Sequence, residues 1–179
     1  VMPSTAADFK GLLKSAIRDE NPVLFFADIG LLHTPGEVPD GDHIVPIGKA
    51  ALRREGSDVT LISYGKTVDH CLAAAATLQT EGISSEVIDL RSLKPLDEAG
   101  ILSSVLKTGR AVIVHEAAAP CGVGAEVAAI LSEKAFGSLK APVVRVTGPD
   151  APAAASFPLE QAYVPQPDRI AAAVRRLVD

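Results

Sequence analysis

The sequence predicts an α/β protein, a three-layer sandwich with a mostly parallel sheet covered on both faces. Three observations carry this reading. Apolar runs suited to buried strands alternate with Ala-rich stretches of helical spacing through successive units. The connections between them are only a few residues long, as βα units allow. Apolar residues make up 47% of the chain while aromatics make up 4% and Trp is absent, which leaves Val, Leu, Ile and Ala to fill the core.

The elements follow in order. Ser4 or Thr5 caps a first helix, with Asp8 as the acid of a capping-box-like start and Phe9, Leu12, Leu13, Ala16 and Ile17 as its apolar face. Pro22 opens a run, Val23–Phe26, that is apolar on both faces and so predicts a strand covered on each side. No strand precedes it, which points to a chain that starts inside a domain. Residues 34–45 carry Pro35, Gly36, Pro39 and Gly41 and are expected to be a linker. From residue 46 to 179 the alternation is regular. Val59–Ser63 predicts a strand and Thr67–Gln79 a helix stopped near Gly82. Ser85–Leu90 is the next strand, and Pro95 and Asp97 introduce a helix that ends before Gly109. Pro142–Val146 is a further strand, and Asp168–Val178 closes the chain as a helix whose Arg175 and Arg176 complement its dipole.

Between Gly109 and Phe136 lies the stretch that raises a functional question. Ala111–Val114 predicts a buried strand, Pro120, Gly122 and Gly124 punctuate a loop of small residues, and Glu126, Ile130 and Leu131 resume at helical spacing. A glycine loop at a helix N-terminus can hold an anion through free N–H groups. The stretch nevertheless lacks the third glycine of a dinucleotide fingerprint and any Gly-Lys-Ser/Thr, and Glu126 puts a negative charge in the first turn. A tight packing turn is therefore favoured over a phosphate cradle. His115 and Glu116 fall at the carboxyl end of this strand, where α/β sites gather. His115 is read either as a general base tuned by Glu116 or as a hydrogen-bonded histidine at an interface.

Other chemistry-bearing residues are sparse. Cys71 and Cys121 are too few for a disulfide framework or a zinc set and are expected as small buried fillers. His33, His43 and His70 show no metal spacing, and no serine has a nucleophile-elbow context. Asp19 and Asn21 flank a helix end where the carbonyls of Ser15, Ala16 and Ile17 lose their partners. Side-chain and backbone oxygens there suit either ordinary turn chemistry or a hard cation. A formal charge of −5 argues against a nucleic-acid partner, and no apolar run approaches membrane-spanning length. A cytoplasmic location is the default expectation.

Several stretches together resemble one family. They include Lys10–Asp19, Asn21-Pro-Val23, Val45–Ala50, Glu86–Leu93, Val114-His-Glu116, Gly122–Glu126, Ala141–Gly148 and Tyr163–Gln166. The chain resembles the C-terminal half of the beta subunit of thiamine-dependent 2-oxo acid dehydrogenases, the decarboxylase components acting on pyruvate, acetoin or branched-chain substrates. The resemblance runs nearly the whole length in order. It implies that residues 1–33 end a pyrimidine-binding domain and that residues 46–179 form a transketolase C-terminal-like domain. It implies thiamine diphosphate and magnesium in the full alpha/beta assembly, held by the alpha subunit, with the glutamate that activates the thiamine ring lying upstream of Val1. This stretch alone is thus expected to be inactive, with no catalytic or cofactor-binding residue of its own. An alternative is a non-catalytic oligomerisation module. The partners implied are an alpha subunit, a second beta subunit and a lipoyl acyltransferase core. The family's structural potassium site matches Ala16 (carbonyl), Asp19 and Asn21. Three positions depart from the family pattern: Ala27 for a Glu, Leu32 for a Tyr, and Lys140 for an acid near the core-docking surface. A base at Lys140 would reverse the charge of that contact.

Overall fold

The computed structural model describes residues 1–178. Five strands form one sheet in the order β1-β3-β2-β4-β5, with β1 (Ala51–Arg54), β2 (Val59–Ser63), β3 (Ser85–Asp89), β4 (Ala111–Ala118) and β5 (Val144–Gly148). All neighbours are parallel except β1, which runs antiparallel to β3 at one edge. That edge strand carries Leu52 half exposed and then two arginines, too short and too polar a pattern for periodicity to register.

Alternation along the central strands assigns the two covering layers. Val59 and Leu61 of β2, Val87 of β3 and Val112 and Val114 of β4 pack against α2 (Thr67–Thr80) and α6 (Pro167–Val178). Ile62, Ile88, Ala111 and Ile113, one residue out of step, pack against α3 (Glu98–Thr108) and α4 (Val123–Lys134). Every residue of β2 and β3 is buried, as parallel strands covered on both sides require. Cys71 fills the α2 face, and burial pushes its thiol up to about 12.

One polar seam crosses this interior. Thr60 and Glu86 are side by side on neighbouring strands, and Thr60 shares hydroxyl bonds with Ser104 (2.8 Å) and Thr108 (2.9 Å) of α3. The Glu86 carboxylate accepts from the Ser104 hydroxyl, the Lys107 ammonium and the Gly56 N–H. Each buried polar atom of the seam that is bonded in this way escapes the cost of an orphaned donor or acceptor. Asp97 caps α3 through the Gly100 N–H, and Gly109, at φ +73°, ends it in the left-handed conformation.

Residues before β1 differ from expectation in two ways. The helix α1 (Ala6–Arg18) forms and Thr5 caps it, accepting from the Asp8 N–H at 3.2 Å. The Asp8 carboxylate, however, does not close a capping box; it turns to Arg53 of β1 and to Arg91, the latter at 2.9 Å. Residues 23–26 are extended but join no sheet. Among the described residues their backbone hydrogen-bonds only to Val1, which donates to the Leu24 carbonyl and accepts from the Phe26 N–H. Leu24 and Phe26 are consequently 76% and 54% exposed, so the expected two-sided burial is not found. The proline-rich segment 34–45 lies along α1. Lys14 donates to the Gly41 carbonyl (3.0 Å), Arg18 holds Asp42, and Ser15 donates to the Val45 carbonyl. A further short helix, α5 (Phe157–Tyr163), interrupts the Pro- and Ala-rich passage before α6.

What fastens the leading segment to the sheet is ionic. Asp89, fully buried at the end of β3, accepts from Ser4 and from Arg53, and Arg53 also holds Asp8. Burial raises the Asp89 carboxyl, against the pull of the Ser4 hydroxyl and Arg53. Removing Arg53 leaves buried Asp89 without its guanidinium partner and Asp8 with Arg91 alone. Arg53→Ala is therefore expected to lower unfolding free energy by about 3 kcal/mol, whereas Lys14→Ala, in an exposed pair with Asp42, costs less than about 1 kcal/mol. Urea denaturation of both variants checks this. Equal losses would show that the buried cluster is not the fastening.

Candidate functional site

The strand order places the site. The β2-α2-β3 and β4-α4-β5 units run outward in opposite directions and lie on opposite faces, so the chain reverses between β2 and β4. Ligand crevices in such sheets form at that reversal, outside the carboxyl ends of the strands. Here the residues delivered to it are Tyr64, Gly65 and Lys66 after β2, and His115 and Glu116 near the end of β4.

His115 faces inward and is fully buried. Its Nδ1 lies 3.0 Å from the Ala117 carbonyl, which makes Nδ1 the protonated nitrogen. Nε2 is buried with no partner. The ring stacks on Tyr64 with centroids 6.0 Å apart. On its other side sits the glycine loop. A Cβ on Gly124 would lie 2.3 Å from Nε2 and one on Gly122 would lie 2.8 Å from Cε1. The two glycines thus make a socket for an imidazole. That packing accounts for both glycines without an anion, in keeping with a tight packing turn. Burial lowers the His115 pKa, the Ala117 hydrogen bond opposes this and Arg145 adds to it. The imidazole is neutral and enclosed by its own chain. It is neither an interface residue nor a base that a substrate can reach.

Glu116 points the other way, into a cleft of about 520 Å³ between the leading segment, α2 and α5. Burial is the main cause that raises its carboxyl pKa; Asp28 and Glu160 add to it, while Lys66 and His70 oppose. Asp28 is fixed by two backbone bonds, accepting from the Lys66 N–H (3.1 Å) and the Gly30 N–H (2.9 Å), and so closes the start of α2. His70 is oriented by the Pro165 carbonyl, 2.7 Å from Nδ1. The cleft can bind a polar group and exchange a proton. No Ser, Thr or Cys lines it, so it offers no hydroxyl or thiol nucleophile. Asp28, Lys66 and Glu160 were not singled out by the sequence. Lys66, between a strand and a helix of a βα unit, occupied a position that could have been flagged.

The remaining expected positions lie elsewhere. Ala16 is in the last turn of α1, with exposed Asp19 and Asn21 just beyond. Asp19 Oδ1 accepts from the Asn21 backbone N–H (2.8 Å) and side-chain amide (3.0 Å), which holds its carboxyl below the usual range. Those donors leave Asp19 Oδ2, Asn21 Oδ1 and the helix-end carbonyls as the oxygens of this turn. Among the described residues no three His, Cys, Asp or Glu converge as a metal set, and no helix is long and apolar enough to cross a membrane. Cys121 is exposed at φ +57° in the glycine loop, so it is not the buried filler the composition led one to expect. Lys140 lies across the end of α3: its Nζ donates to the Thr108 carbonyl (3.3 Å), its backbone N–H to the Gly109 carbonyl (2.8 Å). Arg175 pairs with Glu81, just past the end of α2, through Nε and Nη2, one to each carboxylate oxygen.

A family model described as the transketolase C-terminal domain matches residues 48–170. The chain belongs to that family. Curated relatives extend the match to the leading segment. The beta subunit of acetoin:2,6-dichlorophenolindophenol oxidoreductase of Bacillus subtilis is 45% identical across 99% of this chain and 52% of its own length. The beta subunit of 2-oxoisovalerate dehydrogenase of the same organism is 46% identical across 100% of this chain and 55% of its own. A mitochondrial pyruvate dehydrogenase E1 component subunit beta of Dictyostelium discoideum is 42% identical across 99% of this chain and 51% of its own. The chain thus spans about half the length of the curated relatives it matches. Among solved structures, an inactive beta4 tetramer of a split-gene transketolase superposes with a TM-score of 0.82 at 31% identity, over 98% of this chain and 56% of that one. In this transketolase C-terminal domain the sandwich is as expected from sequence.

The socket makes two checks possible. Gly124→Ala is expected to destabilise by about 2 kcal/mol through overpacking, and His115→Ala in the same chain should recover part of that loss; additive losses would mean that the ring is not what the glycine accommodates. The second check is pH. A histidine kept neutral by the fold loses stability as pH falls below its unfolded pKa of about 6.5, because the unfolded chain then binds the extra proton. His115→Gln should flatten thermal stability below that pH relative to the parent.

Proposed function

We propose that this chain serves as the C-terminal part of the beta subunit of a thiamine-dependent 2-oxo acid dehydrogenase, and that its work there is assembly rather than chemistry. The observation that carries the reading is the identity of 42–46% to three such subunits across nearly the whole chain. The site geometry agrees with it. The best-placed base, His115, is sealed in the fold. The cleft beside Glu116 has acid and base groups but no hydroxyl or thiol nucleophile. Thiamine diphosphate, where the assembly binds it, supplies the electron sink for decarboxylation. This chain's own residues supply a rigid sandwich and a leading segment with exposed Leu24, Phe26 and Ile29 that suits burial against further protein. Partners on this reading are an alpha subunit, a second beta subunit and a lipoyl acyltransferase core. Acetoin, branched-chain and pyruvate relatives are almost equally similar, so the substrate is one of these three classes.

The test is reconstitution. The native gene product combined with its alpha subunit, thiamine diphosphate and Mg²⁺ should reduce 2,6-dichlorophenolindophenol with acetoin, pyruvate or 2-oxoisovalerate. No reduction with any of the three overturns the reading. The second reading, an oligomerisation module without activity, is favoured by the beta4 tetramer among the structural neighbours. It expects a discrete oligomer of this chain alone in sedimentation velocity and no change on adding alpha subunit.

We also propose that the turn after α1 contributes the Ala16 carbonyl, Asp19 and Asn21 to a potassium site. The donors are all oxygen, the kind a hard cation takes, and the Asp19–Asn21 bonds already fix the turn. K⁺ should raise thermal stability more than Na⁺ at equal ionic strength, and Asp19→Ala should erase the difference. Identical melting curves in the two salts would remove this assignment.

A further inference from the structure

β5 is the outer strand of the sheet. It pairs with β4 along one side and with no other strand among the described residues along the other. Beside that edge runs a groove of about 280 Å³ between β5 and α6. Its floor is Val144 and Val146 of β5 with Ala172 and Ala173 of α6. Its rim is basic. Arg169 and Arg176 stand seven residues apart on α6, on the same face as the two alanines between them. Arg145, also exposed, lies between the two valines on β5 and so turns its side chain to the opposite face of the sheet, leaving Arg169 and Arg176 as the rim. Two of the three are already held. Arg169 Nη2 donates to the Thr147 carbonyl of the edge strand at 3.2 Å, and Arg145 Nη1 donates to the Ala119 carbonyl at 2.7 Å on the opposite face of the sheet.

No carboxylate lines the groove, although the chain carries a formal charge of −5. Asp168, the nearest acid on α6 by sequence, exerts its charge on Arg175, which faces Glu81 just past α2. An apolar floor with an arginine rim is the composition of an interface core and its anchors. It is more than edge protection needs, because Arg145 alone puts a charge on the strand, and Arg169 and Arg176 add a second row from a helix.

We propose that this groove docks an extended acidic segment of a protein partner. Guanidinium forks recognise carboxylates in two-point contacts, and the Val and Ala floor takes the apolar side chains that alternate with acids on such a segment. A nucleic acid fits less well. No aromatic residue lines the groove for base stacking, and the protein as a whole repels a polyanion. The proposal is independent of the dehydrogenase reading.

Fluorescence anisotropy of the purified chain tests it, with a short labelled peptide alternating Glu and Val, its Lys/Val counterpart and a single-stranded oligothymidylate. The Glu/Val peptide should bind saturably and more weakly as salt rises. The Lys/Val peptide should not bind. Arg176→Glu, at an exposed position, should weaken the Glu/Val peptide about tenfold or more, with the chain still folded and its melting temperature lowered only by the small loss at the end of the helix dipole. Absent or non-saturable binding of the Glu/Val peptide overturns the proposal, as does equal affinity for the Arg176→Glu variant. Tighter binding of the oligothymidylate also overturns it. So does sedimentation showing a self-associated chain that Arg176→Glu dissociates, since a second copy would then occupy the groove.

Discussion

The requirement that β2, β3 and β4 bury both faces governs the rest of the molecule. A strand whose successive side chains all leave water needs a helical layer on each side, and a one-residue change of register would exchange the two layers' contacts. Leu61 and Ile62 illustrate the division: adjacent in sequence, both fully buried, they belong to different cores. With helices committed to both faces, the strand order has to reverse somewhere, and it reverses between β2 and β4. The crevice at that point is thus a consequence of how the core is closed. Glu116 and Lys66 reach it because they lie near the carboxyl ends of the two strands on either side of the reversal.

Polar groups inside this scaffold mark where separate pieces are fixed to it. Two ionic centres do this in different ways. Glu86 lies within the sandwich and fastens α3 to the sheet through Ser104 and Lys107. Asp89 lies at the end of the same strand and fastens residues outside the sandwich, through Ser4 directly and through Arg53 to Asp8. A buried carboxylate adds little net stability compared with an apolar replacement of both partners. What it supplies is directionality: an Asp-Arg-Asp chain has one satisfactory arrangement, whereas the small apolar cluster of Val1, Leu12 and Val45 could slide. The leading segment, poor in apolar contacts of its own, is positioned by charge.

Much of the sandwich was legible in the sequence because its signals are local. The caps Thr5 and Asp97, the stop at Gly109, and the runs of β2, β3 and β4 each depend on a few neighbouring residues. What was not legible depends on partners distant in the chain. Asp8 has the spacing of a capping acid, yet its partners lie 45 and 83 residues away. Val23–Phe26 has the composition of a central strand, and composition cannot say whether a neighbour exists to pair with it. β1 was missed because an edge strand with two arginines shows neither apolar run nor clean alternation. At the candidate site, the turn reading of the glycine loop held but its reason was not readable. Gly122 and Gly124 are small because of a ring delivered from the preceding strand. Glu116 was named; the company it keeps, Asp28 before the sandwich and Glu160 near its end, is assembled only by the fold.

That assembly also separates two residues that sequence alone would join. His115 and Glu116 are neighbours, and as a pair they look like a base with its orienting acid. On a strand they diverge, and the divergence has opposite electrostatic results in two different settings. Inside, an imidazole with one nitrogen bonded and the other shut off is kept neutral because a charged ring would have no solvent and no counter-ion. Outside, a carboxyl among other carboxyls retains its proton more readily than a free one because burial and Asp28 disfavour its charge. Neither shift needs the other residue. A dyad would require the His115 ring to leave its socket, and the glycines that admit the ring also have no side chain with which to replace it. The histidine is therefore spent on packing the junction between β4 and α4, and whatever proton chemistry the cleft performs belongs to Glu116 and the groups that face it from α2, α5 and the leading segment.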